Sequence, residues 1–296
     1  MSITKSETNP RLGVLLMVLT MFIFAMQDGI SRHLAGEYNV YMVLMIRYWV
    51  FAGFVILWSM RAQGGLRRAM RSAQPKLQFF RGAILAVEVI IMVIGFVKLG
   101  LVESHAMFAS YPLIITALSA PILGEKVGWR RWLLVLIGFV GVLIILNPGG
   151  GVMSPAAIFP LASAVLFALY GLLNRYVARK DPSSVTFFYT GIAGAVVTTL
   201  IGMWHWEAMT LTDWAWMGLL CATSTTGHYL LIRAYELSEA SAIQPLAYFQ
   251  LAFASILGVV VFGDAVRINV AVGASLVVAA GIFTFLRSQM KSRNRA

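Results

Sequence analysis

Residues 121–131 read PILGEKVGWRR, and residues 260–270 read VVFGDAVRINV. Each places a Gly before an acid, then a valine and one or more basic residues, and each leads into a long apolar run. The first copy carries Lys126, Arg130 and Arg131, whereas the second carries only Arg267. A doubled motif with unequal positive charge is expected when two copies of one helical unit enter a membrane in opposite orientations. The acid-bearing loop then faces the basic side once and the other side once.

Composition supports the membrane reading. Of 296 residues, 59% are hydrophobic and 12% charged, about half the charged share of a soluble domain. Mean hydropathy is +0.81. Such a chain has too few polar groups to cover a water-facing surface. The apolar runs are continuous and near the ~20 residues of a spanning helix. They do not alternate as the strands of a membrane barrel do. The net charge of +11 is carried between the apolar runs, where Lys and Arg set orientation in the bilayer. No nucleic-acid partner is expected from it. The single cysteine, Cys221, excludes an intrachain disulfide and a thiolate metal cluster. The first run, Leu12 to about Ile30, lacks a small-x-small cleavage site and continues into further spans. It reads as a retained helix rather than a signal peptide.

Breaks at charged, Gly and Pro positions leave ten runs, near 12–33, 40–60, 80–97, 104–123, 130–147, 155–178, 184–204, 212–235, 241–262 and 269–287. Ten spans put both ends on one side. With that side cytoplasmic, most Lys and Arg fall inside, Arg32, Lys98 and Arg267 fall outside, and Arg47 falls within the second span. The bias predicts cytoplasmic termini in a bacterial-type inner membrane. Trp204, Trp206, Trp214 and Trp216 cluster at one predicted outer loop, and Trp129 and Trp132 at an inner edge, as interfacial belts do.

The halves 1–150 and 151–296 compare residue by residue. At an offset of 143, Thr20, Phe24, Gln27, Ser31 and Arg32 fall on Ser163, Phe167, Tyr170, Asn174 and Arg175. The first four positions of each set share one helical face. LGLVESHAM (99–107) aligns with YELSEASAI (235–243), pairing Glu103 with Glu239, and a three-residue slip then brings Gly124 onto Gly263. The predicted fold is an all-α membrane protein with ten transmembrane helices as two inverted five-helix repeats.

These residues resemble the drug/metabolite transporter superfamily in its ten-helix EamA-type branch. The likeness is carried by LGLVESHAMFASYPL, by the LGE of 123–125, by the Gly-spaced GFVGVLIILNPG and by IRYWVFAGFVIL in the second span. It covers nearly the whole chain as two copies. The resemblance implies a secondary transporter of small metabolites, mostly outward. The overall look is similar to bacterial exporters of aromatic amino acids, with a multidrug or organic-cation exporter of the same fold as the alternative. It implies a small-molecule substrate and surrounding lipid as partners, action as a monomer, and no cofactor.

In inverted-repeat transporters the substrate site lies near the midplane between the halves. Glu88 sits midway along GAILAVEVIIMVIGFV, where an ionised carboxylate needs a cavity or a partner. It reads as a proton carrier or a partner for a substrate ammonium, or else as half of a structural ion pair. Asp28 and Arg47 fall at similar depth across the first hairpin and are expected to pair, chiefly as architecture. Phe24 and Gln27 in the first span, and Tyr170 and Asn174 in the sixth, are predicted walls of one cavity. Ser241, Gln244, Tyr248 and Ser255 share a face of the ninth span. His105, Ala109, Pro112, Thr116 and Ser119 share a face of the fourth, with Tyr111 beside them. Hydroxyl and small residues also serve simply to pack helices, as Gly138, Gly141, Gly191 and Gly194 are expected to do. Pro112 and Pro245 are predicted kinks. His228, one turn from Ser224 and Thr225, reads either as a titrating group or as a hydrogen-bonded structural histidine. Tyr229 reads as a stacking surface for a ligand or as a lipid-facing ring.

No phosphate loop occurs, and neither does an H-E-x-x-H motif or a His/Cys ligand cluster. FGDA at 262–265 hints at an aspartyl protease, but it falls at a loop rather than mid-span, and no second Asp is suitably placed in the bilayer apart from Asp28. An enzyme is not expected. Neither is a channel, which needs a pore-lining ring or filter repeat.

Overall fold

In a hydrocarbon environment every backbone N–H and C=O must be satisfied within the segment, so apolar runs of this length fold as helices. A computed structural model describes residues 10–62, 64–123, 128–146, 154–237 and 244–293, and among them there are helices and no strands. In chain order these are α1 (Pro10–Glu37), α2 (Val40–Arg61), a short α3 (Gly65–Met70), α4 (Pro75–Leu99), α5 (Leu101–Phe108) and α6 (Tyr111–Leu123). There follow α7 (Trp129–Leu146), α8 (Ile158–Val177), α9 (Ser183–Gly202), α10 (Leu211–Leu237), α11 (Phe249–Phe262) and α12 (Ile268–Arg293). Short 3₁₀ turns at Pro155–Ala157 and Gln244–Tyr248 lead into α8 and α11.

Among the described residues, six segments are long and apolar enough to cross a membrane: Arg11–Glu37, Val40–Arg61, Pro75–Leu99, Leu101–Ser119, Pro155–Val177 and Ser183–Gly202. Trp132–Leu146, Leu246–Phe262 and Ile268–Phe283 are shorter apolar helices. The 27-residue α10 belongs to neither group; it carries Asp213 and the polar run Thr223 to His228. Leu15, Leu136, Val260 and Ile268 are among many large apolar residues left exposed, a surface suited to lipid and not to water.

The expected fourth span is two helices. α5 ends at Phe108 and α6 begins at Tyr111. Pro112 causes the break: its ring clashes with the carbonyl four residues earlier and it offers no N–H. The Ser110 hydroxyl donates to the Met107 carbonyl at 2.7 Å and stabilises the turn. Between α4 and α5, Gly100 has φ 86°, a left-handed conformation that favours glycine. A Cβ there would also lie 2.7 Å from the Asp264 carboxylate.

α1 packs against α10 and α11, α8 against α4 and α6, α2 against α9, and α7 against α12. Glycine allows the last pair to approach closely: a Cβ on Gly141 would lie 2.8 Å from the Gly273 carbonyl. Gly138, Gly191 and Gly194 are likewise covered by Leu113, Val55 and Tyr48. α1, α2, α4, α5, α8, α10 and α11 all contribute to a central space.

Candidate functional site

That space is a cavity of about 250 Å³. Its walls are mostly aromatic and aliphatic, yet they include Asp28, Arg47 and Glu88. Three ionisable side chains in one apolar enclosure need strong compensation or a ligand. Glu88, 4% exposed, accepts a hydrogen bond from the Ser163 hydroxyl of α8. Arg47, 7% exposed, donates from Nε to Ser224 Oγ of α10 at 3.1 Å. Asp28 accepts from Gln250 Nε2 of α11 at 2.8 Å. His105 Nε2 lies 3.2 Å from Asp28 Oδ2, at ion-pair distance but without hydrogen-bond alignment.

The expected Asp28–Arg47 pair is therefore not formed. Depth along a hairpin sets height but not rotation about the helix axis. α1 is turned by its packing on α10 and α11, which aims Asp28 at Gln250. α2 packs on α9, and Arg47 reaches Ser224 instead. Asp28 and Arg47 share the cavity without forming an ion pair.

Phe24, Gln27, Glu88, His105, Tyr170 and His228 all line this space. Among the described residues Gln27 Oε1 is buried without a hydrogen-bond partner. The His228 ring lies 5.2 Å from the rings of both Phe24 and Phe51. Its Nδ1 is 2.8 Å from the Ser224 carbonyl, an acceptor that assigns the proton to Nδ1. His105 stacks on Phe96 at 5.1 Å. Tyr111 and Tyr248 line an adjoining chamber of about 110 Å³. The two spaces share His105, Phe108, Phe167 and Gln250.

Other candidates lie elsewhere. Asn174 accepts from Arg81 Nη1 at 2.8 Å. Arg81, counted from sequence as an edge charge, is fully buried. It also donates to the Thr186 carbonyl, Thr190 and Gln78 and sits over the Tyr170 ring. Tyr229 is 37% exposed and packs on Trp58 at 5.5 Å, away from the cavity. Thr116 and Ser119 bond to carbonyls of their own helix, and Ser255 lines neither space. Ser241, Gly124, Glu125 and Lys126 lie outside the described residues, as do the side chains of Gln244 and Pro245. Sequence reasoning missed Gln250, Ser224 and Phe108 as lining residues. A lone amide in FQLAFASILG was the available signal for Gln250.

The ends of the bundle are tied by polar contacts. Asp264 of the FGDA motif meets Arg32 at 2.8 Å and accepts the Leu101 N–H at 2.7 Å, which removes it from any protease dyad. Arg267 lies 3.2 Å from Glu103 beside it. Asp181, in the loop between α8 and α9, accepts from Ser72, the Ala73 N–H and Gln78. Burial works against its charge, but these bonds and the Gln74 N–H outweigh burial and hold its carboxyl below the usual range. No cluster of three or more metal-binding side chains occurs among the described residues.

The chain matches the EamA-like transporter family twice, over residues 11–147 and 154–286. It is 22% identical over 280 residues to an S-adenosylmethionine uptake transporter of Rickettsia prowazekii, covering 95% of this chain and 94% of that one. A riboflavin transporter of Vibrio cholerae is 25% identical over 291 residues, with 96% of each chain covered. The pseudopaline exporter CntI of Pseudomonas aeruginosa is 23% identical, covering 81% of this chain and 84% of that one. A crystal structure with 18% identity matches at a TM-score of 0.63, covering 96% of this chain and 99% of that chain, a likeness of fold. The helices, the enclosed polar cavity and the doubled match have one explanation: the chain belongs to the EamA-like transporter family and is a multi-pass membrane transporter of the drug/metabolite transporter superfamily.

Proposed function

We propose that this chain is a ten-span secondary transporter that moves a small zwitterionic metabolite bearing an aromatic group. Its units are two inverted five-helix repeats, residues 1–150 and 151–296. The family match in two copies supports that division. So does the packing: exchanging the halves carries α1 on α10 and α11 onto α8 on α4 and α6, and returns α2–α9 and α7–α12 to themselves. Rocking one half against the other would expose the central site to each side in turn. The Lys and Arg distribution supports cytoplasmic termini in a bacterial-type inner membrane, with one chain sufficient for transport.

One observation carries the substrate class. Glu88 and Arg47 line one cavity, and among the described residues neither forms an ion pair with another side chain. A substrate ammonium matches the first and a substrate carboxylate the second. The aromatic walls suit a planar group between them. Aromatic amino acids fall in this class, and so does the amino-acid head of S-adenosylmethionine, which joins it to a heterocycle through a positively charged sulfonium. The relatives are named for uptake as well as export, so they lend no weight to outward over inward movement.

Counterflow into proteoliposomes tests the reading, with phenylalanine, methionine, S-adenosylmethionine, riboflavin and a quaternary ammonium as labelled probes. Exchange among the zwitterions without the quaternary cation is expected. Movement of the cation alone would overturn the zwitterion reading in favour of an organic-cation carrier.

A further inference from the structure

The smaller chamber has a chemistry of its own. Phe108, Tyr111 and Phe167 form one wall, with ring centroids 5.2, 5.3 and 4.8 Å apart. Among the described residues the Tyr248 hydroxyl is buried without a hydrogen-bond partner, and His105 Nε2, at the junction with the central cavity, makes no hydrogen bond although it faces Asp28 Oδ2 at 3.2 Å. A buried hydroxyl left unpaired is costly. Tyr248 holds that position because residue 281 is glycine; a Cβ there would collide with its hydroxyl. The chamber is thus largely aromatic on its walls, with Tyr248, His105 and the Gln250 amide among its polar groups, and it opens onto the space that holds Glu88 and Arg47.

We infer that this chamber is a second subsite, which receives the ring of the substrate and selects a flat nitrogen heterocycle with a hydrogen-bonding edge. The inference rests on the central-cavity reading, because the charged head group must be held there for the ring to reach Tyr248. A purely hydrocarbon ring gains the aromatic contacts but leaves the Tyr248 hydroxyl without a hydrogen bond and His105 Nε2 with only the Asp28 carboxylate beside it. A heterocycle bearing ring nitrogens or an exocyclic amine satisfies them. A site built to bond such an edge discriminates strongly against a ligand that lacks it. The break between α5 and α6 and the 3₁₀ turn before α11 border the chamber. The fourth predicted span is thereby interrupted, and α11 is entered through a 3₁₀ turn, beside the predicted ring position.

Methionine and S-adenosylhomocysteine separate the two subsites. Both are uncharged thioethers with the same head group, and they differ in a methyl against an adenosyl group. Equilibrium binding of each would be measured on the purified full chain, for the unaltered protein, Tyr248→Phe and Ala247→Phe. Ala247 lines the chamber, and a phenyl group there would occupy it. The unaltered protein is expected to prefer S-adenosylhomocysteine. Tyr248→Phe is expected to lower the affinity ratio of S-adenosylhomocysteine to methionine roughly three- to tenfold, the worth of about one hydrogen bond, and Ala247→Phe to lower it further. Methionine binding that persists while the ratio stays the same in both variants would overturn the second subsite and leave the head-group site standing. The same conclusion follows if the unaltered protein binds methionine and rejects the adenosyl compound. Binding of neither by the unaltered protein would overturn the central reading, and the second subsite with it.

Discussion

Arg32 Nη1 lies 2.8 Å from Oδ1 and 2.9 Å from Oδ2 of Asp264, tying the C-terminal part of α1 to the loop after α11. The guanidinium also rests over the Phe262 ring, 4.3 Å from its centroid. Asp264 in turn accepts the Leu101 N–H at the start of α5. One carboxylate therefore joins three elements at one mouth of the bundle. Both side chains are mostly withdrawn from solvent, so the pair resists screening better than a surface pair. Asp264→Asn is expected to destabilise the protein by about 1–3 kcal/mol, read as a lower temperature of thermal inactivation in detergent. A double-mutant cycle with Arg32→Ala checks the assignment. Additive effects would mean that the contact contributes nothing of its own.

Glu88 has a hydroxyl donor and, among the described residues, no ion-pair partner. Glu88→Gln preserves shape and that hydrogen bond while removing the charge. Counterflow is expected to fall about tenfold or more, with an unchanged elution profile of the purified protein. Ser163→Ala, which keeps the charge and removes its donor, is expected to have a smaller effect. Normal counterflow by a folded Glu88→Gln protein would remove Glu88 from the mechanism.

Arg47 is assigned to the substrate carboxylate. The unaltered protein should therefore prefer phenylalanine to its methyl ester. Arg47→Ala should abolish that preference through slower phenylalanine counterflow, a loss of roughly ten- to a hundredfold for a charge-assisted contact. Arg47→Lys retains the charge but not the planar fork and should recover part of the difference. An ester that competes equally with the acid in the unaltered protein would sink the assignment.

Helix positions were legible because lipid leaves the backbone few choices, and Pro112 announced the break in the fourth run. Rotation about each helix axis was much less legible. Asp28 and Arg47 were matched by depth, and packing on different neighbours turned them apart. Asn174 was placed with the cavity by repeat symmetry, yet it accepts a hydrogen bond from Arg81 and does not line that space. Arg81 itself was hidden because an arginine near a predicted helix end looks like an interfacial charge. The misplacement of Tyr229 was avoidable. Consecutive helical residues diverge by about 100°, so His228 and Tyr229 do not face one cavity together.

Arg81 holds α4 to α8 and α9 through Asn174, the Thr186 carbonyl and Thr190. A planar five-donor group reaches these acceptors at once, whereas a lysine ammonium does not. Arg81→Lys is expected to destabilise by about 1–3 kcal/mol, with Arg81→Ala worse, measured by thermal inactivation. Full stability in the lysine variant would show that the charge alone, and not the fork, is what the site requires.

Asp181 supplies the pH-dependent part of the stability at its end of the bundle. Its carboxylate is the acceptor for Ser72, Gln78 and the Ala73 N–H, and protonation removes the acceptor charge. A carboxyl lowered in the folded state binds its proton less readily there than in the unfolded chain. Its contribution is therefore complete above the unfolded value of about 4 and is lost as pH falls through the lower folded value. Asp181→Asn should lower thermal stability by a constant margin from neutral pH down to about 5. That margin should shrink below about 4, where the unaltered protein loses the same interaction. Stability of both proteins would be followed against pH in detergent. A margin that persists unchanged into strong acid would mean that packing around residue 181, and not its charge, fastens the α8–α9 loop to α4.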